Sequence, residues 1–235
     1  MPAGPFFYHF ECSKSVKFLL LPVPVFLLLG TACGPKRAEL LGEPGDRYNV
    51  ACYYFPNYHP DARNTDLYGV GWTEWELVKP AMPRFGGHRQ PRIPVWGYDD
   101  EPDPARMAMR IDAAVAHGID AFIFDWYYYD YGLFLQRALE EGFMKAANVD
   151  RMKFGLMWAN RDWLELFPFR ACIEKDVHYP GAVSPQTCRA ICDLVVDRYF
   201  AHPSYWRVDG SPCFSFFDLK FLEKWNDAEE INKRS

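Results

Sequence analysis

The sequence predicts an α/β protein of the (β/α)8 TIM-barrel type, N-terminal half only, with about four βα units. Three observations predict it. Short apolar runs alternate with amphipathic helical patterns, the signature of parallel βα units. Each apolar run ends in polar and aromatic residues, as strands do at the ligand-binding end of a barrel. No glycine-rich phosphate loop follows any run, which counts against a doubly wound nucleotide-binding sheet.

The stretch around which the rest is organised is Ala121-Phe122-Ile123-Phe124-Asp125-Trp126-Tyr127-Tyr128-Tyr129. Its apolar part is too short for a helix and is bounded by Gly118 and Asp120. It reads as a strand over 121–126 buried on both faces. The strand then turns abruptly into a carboxylate and four rings. Packing explains the rings, but a carboxylate is rarely buried without a partner, so Asp125 marks a site.

The remaining elements follow in order. Lys14 and Lys17 precede the apolar run Phe18 to Leu29, and Gly30, Thr31, Ala32, Cys33 and Gly34 come next. That is a basic, apolar and small-residue succession, expected to be a signal over 1–34. Pro22 and Pro24 make the run unsuited to a transmembrane helix. Small residues leading into Cys33 resemble a bacterial lipoprotein signal with Cys33 lipidated, and translation from Val16 would make the leader compact. An exported protein of the bacterial cell envelope, or a secreted one, is the expectation. Its only route to the membrane is then the N-terminal lipid anchor.

Residues 35–47 form a polar spacer, and the domain is expected over 48–235. Tyr48 to Phe55 reads as the first strand, stopped by Pro56. A long irregular segment runs over 60–102, and its tryptophans and tyrosines argue against disorder. Asp103-Pro104 opens a helix, with Met107, Ile111, Ala114 and Val115 on one face and Gly118 at its end. Leu133 to Ala147 is expected as a second helix and Lys153 to Trp158 as a third strand. Ser184 and Pro185 open another helix, striped by Cys188, Ile191, Cys192, Val195 and Tyr199. Val208-Asp209-Gly210 is a turn, and Pro212 to Phe217 a fourth strand. A whole barrel needs about 250 residues. After the leader, the spacer and the long insertion, this chain leaves room for about half of one.

A net charge of −5 and a pI near 5.7 argue against nucleic acid as a partner. Aromatic residues make up 17% of the chain, a surplus that suits stacking on the apolar faces of sugar rings. The cysteines are Cys12, Cys33, Cys52, Cys172, Cys188, Cys192 and Cys213. An odd, scattered set gives no disulfide framework and no metal-ligand spacing. No metal and no cofactor is expected.

Five motifs occur in order: Tyr53-Tyr54-Phe55-Pro56 with Tyr58-His59-Pro60; Gly71-Trp72-Thr73-Glu74-Trp75; Phe85, Gly87-His88 and Gln90-Pro91; Gly118-Ile119-Asp120 with Phe122; and Trp158-Ala159-Asn160. Together they resemble the WbsX-like family, described as glycoside hydrolase family 99-like, over about Val50 to Phe217. The resemblance implies a (β/α)8 fold acting on an oligosaccharide or polysaccharide. The related family 99 enzymes are retaining endo-α-mannosidases, so the first reading is part of a glycoside hydrolase. Some WbsX members are instead named as glycosyltransferases of polysaccharide synthesis, and a non-catalytic carbohydrate-binding remnant is a further alternative. The family carries a Trp-Asn-Glu-Trp type motif with further carboxylates in its C-terminal half. Nothing after Asp218 matches it: Lys224-Trp225-Asn226-Asp227 leads into a charged tail. The expectation is a chain cut short.

Glycoside cleavage takes two carboxylates, about 5–5.5 Å apart for retention and about 6.5–9.5 Å for inversion. Asp125, Asp162 and Asp218 stand at strand ends, and Glu74 lies in the long loop. The catalytic candidates are Glu74 and Asp125. Glu74, between Trp72 and Trp75, either acts as an acid of raised pKa or only hydrogen-bonds. Asp125 binds sugar hydroxyls or pairs with an arginine. Asn160 reaches a hydroxyl or caps a helix. The expected substrate-binding set is completed by Tyr54, His59, Trp72, Trp75, Trp126, Tyr127 and Trp158, with Trp126, Tyr127 and Trp158 as stacking platforms.

Overall fold

A computed structural model describes residues 48–167 and 175–219. The leader with Val16 and Cys33, the spacer, and the tail from Lys224 lie outside the described residues. The strands are β1 (Ala51–Tyr54), β2 (Ala121–Tyr129), β3 (Gly132–Phe134), β4 (Lys153–Trp158), β5 (Trp163–Leu164), β6 (Val177–Tyr179), β7 (Arg207–Val208), β8 (Ser211–Pro212) and β9 (Phe214–Phe216). The α-helices are α1 (Ala62–Tyr68), α2 (Trp75–Val78), α3 (Pro104–Ala116) and α4 (Pro185–Leu194).

Four strands run parallel in the order β1-β2-β4-β9, and among the described residues β1 and β9 are the open edges. The domain is therefore α/β with a partial, unclosed parallel sheet. The expected helix at 104 forms as read, and the one at 185 runs as α4 to Leu194 and continues as a π-helical turn over Val195–Phe200. Asp103 accepts from the backbone N–H of Ala105 at 2.8 Å, and the Ser184 hydroxyl accepts from that of Thr187 at 3.3 Å. Proline at the first turn of each lacks only a donor that the turn leaves unused. Gly118 ends α3 at φ +79°, a conformation that side chains resist.

Two expectations are corrected. The strand at 121 does not end at Trp126 but runs to Tyr129, then turns back antiparallel as β3. The expected helix over 133–147 therefore begins late. Leu133 and Phe134 pair with Tyr128 and Tyr127, and only a π-helical turn over Ala138–Phe143 remains. The period-3.6 pattern of Phe134, Ala138 and Leu139 lost to strand pairing, which satisfies two backbones at once. The segment over 60–102 holds α1 and α2 within otherwise irregular chain.

Alternation along the strands divides the sheet into two faces. The rows Cys52–Phe122–Phe154, Tyr54–Phe124–Leu156–Phe214 and Trp126–Trp158–Phe216 share one face. They meet Met107, Ile111, Phe143, Ile191, Val195 and Tyr199 from the helical layer. The rows Tyr53–Ile123–Gly155 and Asp125–Met157–Ser215 take the opposite face. Tyr53 is 52% exposed, whereas Phe124 is 1% exposed.

The two faces predict opposite mutational costs. Phe124→Ala is expected to lower stability by about 3–5 kcal/mol. Tyr53→Ala should cost under about 1 kcal/mol. Urea denaturation of both variants checks this, and a larger loss for Tyr53→Ala would reverse the assignment of faces.

Candidate functional site

The parallel strands all end on the same side of the sheet, and the site lies there, on the face away from α3 and α4. β2 extends past its neighbours and delivers Tyr127 and Tyr129 to that side. With Phe134, Leu135 and Ala159, and with Trp163 and Tyr179 against them, they make a second, smaller core. Tyr127 meets Trp163 edge-on at 5.3 Å, and Trp163 meets Phe134 edge-on at 4.9 Å. Arg63 of α1 clamps the hairpin. Its guanidinium sits 4.7 Å from the Tyr179 ring and donates to the carbonyls of Tyr131 and Gly132, at 3.0 Å each.

Asp125 stands one position below Tyr127 on the same face. Burial pushes its carboxyl up to about 6, and the nearby Arg161 guanidinium pulls it part of the way back. Its Oδ1 is buried without a hydrogen-bond partner among the described residues. Burial also raises the Tyr127 hydroxyl, which feels the charges of Asp125, Arg161 and Glu74. These three charged groups therefore act on one hydroxyl.

Glu74 reaches the site from the turn before α2. Its backbone N–H donates to the Asn57 carbonyl at 3.0 Å, and Asn57 Nδ2 donates to Glu74 Oε1 at 3.0 Å. Asn64 Nδ2 in turn donates to Asn57 Oδ1 at 2.7 Å, and both asparagines are fully buried. Burial raises the Glu74 pKa, and the Asn57 hydrogen bond partly offsets it. Trp75 beside it packs tilted against Tyr58 at 4.3 Å, and Trp72 against Tyr68 at 4.4 Å.

The other expected site residues lie elsewhere. Trp126 and Trp158 face the helical layer at 2% and 3% exposure. Trp126 Nε1 donates to the Tyr199 hydroxyl at 3.2 Å, and Trp158 Nε1 to the Tyr128 carbonyl at 3.3 Å. Neither offers a ring face to the cleft in this arrangement. Tyr54 shares their face, and its hydroxyl donates to Glu101 Oε1 at 2.7 Å. His59 is fully buried with Nδ1 3.1 Å from Glu101 Oε2, and its Nε2 has no partner among the described residues. Asn160 spends both ends of its amide on the backbone of Asp218, at 2.6 and 2.9 Å, and so ties the end of β4 to the end of β9.

Sequence reasoning missed Asn57, Asn64, Glu101, Arg161 and Trp163. Trp163 has a buried Nε1 with no acceptor among the described residues. The only available signal was position: Arg161 and Trp163 directly follow a strand end. Among the described residues no cluster of three or more His, Cys, Asp or Glu could hold a metal ion.

Fold and site define an α/β domain whose unclosed parallel sheet carries a half-buried carboxylate, Asp125, beside an aromatic cluster at its C-terminal end. The model of the family Glycosyltransferase WbsX matches residues 50–234. The chain belongs to this carbohydrate-active family. Two curated relatives, each named "Uncharacterized protein WxcX", come from Xanthomonas campestris pv. campestris strains B100 and ATCC 33913. Each is 31% identical over 164 residues, which cover 69% of this chain and 23% of the relative. The chain thus spans about a quarter of the length of these relatives. Two solved structures of a glycoside hydrolase family 99 endo-alpha-mannosidase from Bacteroides thetaiotaomicron also match, one of them in complex with bis-tris-propane. They share 20% identity with TM-scores of 0.44 and 0.43, covering 72% of this chain and 42% and 44% of theirs.

The Asp125 carboxyl titrates above its ordinary value of 3.8, so the folded chain binds its proton more tightly than the unfolded chain does. Stability from this group is full below about pH 4 and is lost as pH rises through about 6. Asp125→Asn is therefore expected to stabilise the protein at pH 7 by on the order of 1 kcal/mol, after allowance for partial exposure. The gain should vanish below about pH 4. Denaturation at both pH values checks this, and a destabilised variant at pH 7 would mean that Asp125 is held as a paired carboxylate.

Proposed function

We propose that the chain carries part of a glycan-active site of the WbsX type, that the reaction is glycosyl transfer in polysaccharide synthesis, and that Asp125 is its base. The observation that carries this is the desolvated, partnerless carboxylate oxygen of Asp125 on the open face. The family description supports transfer over hydrolysis. In this step an acceptor hydroxyl gives its proton to Asp125 as its oxygen bonds the donor's anomeric carbon. The bond to the leaving group breaks, and its electron pair departs with that group. A base titrating near 6 is ionised at neutral pH and still accepts a proton effectively. Trp163, only half-buried, would meet the sugar, and Glu74, fixed by Asn57, would take a hydroxyl. The lipoprotein-like leader supports a place for this work at the cell envelope.

A panel of bacterial oligosaccharides, assayed for binding and then for elongation or cleavage, tests the reading. Asp125→Asn is expected to lower turnover by about 10²–10⁴-fold. Binding should stay within about tenfold of wild type, since an uncharged amide still reaches a hydroxyl. Glu74→Gln should weaken binding more than turnover. Elongation would support transfer, and cleavage alone would assign hydrolysis. Binding by the wild type without turnover would leave a carbohydrate-binding module, and no binding would remove the proposal.

A further inference from the structure

The loop over 79–98 holds four of the chain's 26 basic residues and none of its 31 acidic ones. Lys79 is paired with Glu76, but Arg84, Arg89 and Arg92 are exposed, with no side-chain partner among the described residues. Between them stand large apolar side chains in water. Phe85 is 69% exposed, Ile93 69% and Trp96 42%. Phe85 stacks one face on His88 at 4.6 Å and leaves the other open, and unpaired guanidiniums set among such side chains, on a chain of net charge −5, form a local surface of opposite character to the rest.

Both ends of this loop are pinned at the site. Trp75, next to Glu74, packs against Tyr98 at 5.3 Å, and its Nε1 donates to the Asp99 carbonyl at 3.0 Å. On the other flank Lys79 Nζ lies 5.4 Å from the Tyr98 ring. The loop therefore leaves and re-enters the fold beside Glu74 and Trp75.

We infer that the loop over 79–98 is a docking surface for an anionic glycan, a chain bearing carboxylate or phosphate groups, and that it feeds the Asp125 cleft. The inference rests on the proposed glycan activity and adds the charge of the substrate. Guanidinium forks match carboxylate and phosphate oxygens in pairs, and the Phe85 and Trp96 rings cover the apolar faces of sugars. An anionic lipid surface would satisfy the same charges. The glycan is favoured because the loop is anchored beside Glu74, where a chain held along it would enter the cleft.

The test uses the 235-residue chain. Its probes are oligogalacturonate, the same oligomers with every carboxylate methyl-esterified, and phosphatidylglycerol vesicles. Each exposed guanidinium–carboxylate pair contributes about twofold or more, so three should give about a tenfold preference for the free acid at low salt. The preference should collapse at about 0.5 M salt. It should also collapse in Arg84→Gln/Arg89→Gln/Arg92→Gln and survive largely in the triple Lys variant. Equal affinity for acid and ester, or a preference that the Gln variant keeps, overturns the inference and leaves the glycan reading standing. Vesicle binding that depends on the arginines, without preference for the acid, assigns the loop to membranes and also overturns it. Binding of neither glycan overturns the inference, and the oligosaccharide panel then decides the glycan reading separately.

Discussion

The pleat of β2 governs the rest of the molecule. Phe124, Asp125 and Trp126 are consecutive, yet alternation sends the two large apolar side chains to the helices and the carboxylate the other way. The burial of Phe122, Phe124 and Trp126 holds the register, because a slip by one residue would drive Asp125 into a dry aromatic core. The same hydrophobic demand that builds the core therefore places the acid at the cleft. Continuation of the strand through Tyr129 then lets β3 fold back and roof that end with rings.

A second constraint holds the segments after β1. Glu101 is 1% exposed, and its oxygens meet the Tyr54 hydroxyl, the backbone N–H of Tyr58, the His59 ring and the Arg110 guanidinium. A buried carboxylate persists only when so provided for. Arg110 also bonds Asp99 at 2.6 Å, which brings the end of the basic loop onto α3. The π-helical turn closes over this network: a Cβ at Gly142 would lie 2.2 Å from the Glu101 carbonyl. Asn57 and Asn64 continue the polar cluster to Glu74. The rim of the cleft is thus held by buried hydrogen bonds, and its floor by strand pairing.

Much of this was legible in the sequence. The helices opened by Asp103-Pro104 and Ser184-Pro185 carry their caps in the local chain, and β4 forms over the residues read for it. The face of each aromatic side chain was not legible, because it depended on how far β2 extends. Reading the strand as ending at Trp126 put that ring at the strand's mouth beside Asp125 as a platform. Once the strand runs to Tyr129, Trp126 belongs with Phe124 and Tyr127 with Asp125. The polar cluster was invisible for a different reason. Glu101 lies more than forty positions from Tyr54, Tyr58 and His59 in the chain, so no local pattern announces their contact.

The central claim is that a glycan is met by the face of Asp125 and not by the face of Trp126. The eight tryptophans report on this directly through their indole N–H signals. The measurement is a two-dimensional nitrogen–proton NMR titration with the tightest-binding oligosaccharide of a bacterial panel. Assignments would come from single Trp→Phe variants. The account predicts that Trp75 and Trp163 shift, while Trp126 and Trp158, locked onto Tyr199 and the Tyr128 carbonyl, stay in place. Shifts at Trp126 and Trp158 with Trp75 and Trp163 unmoved would contradict it.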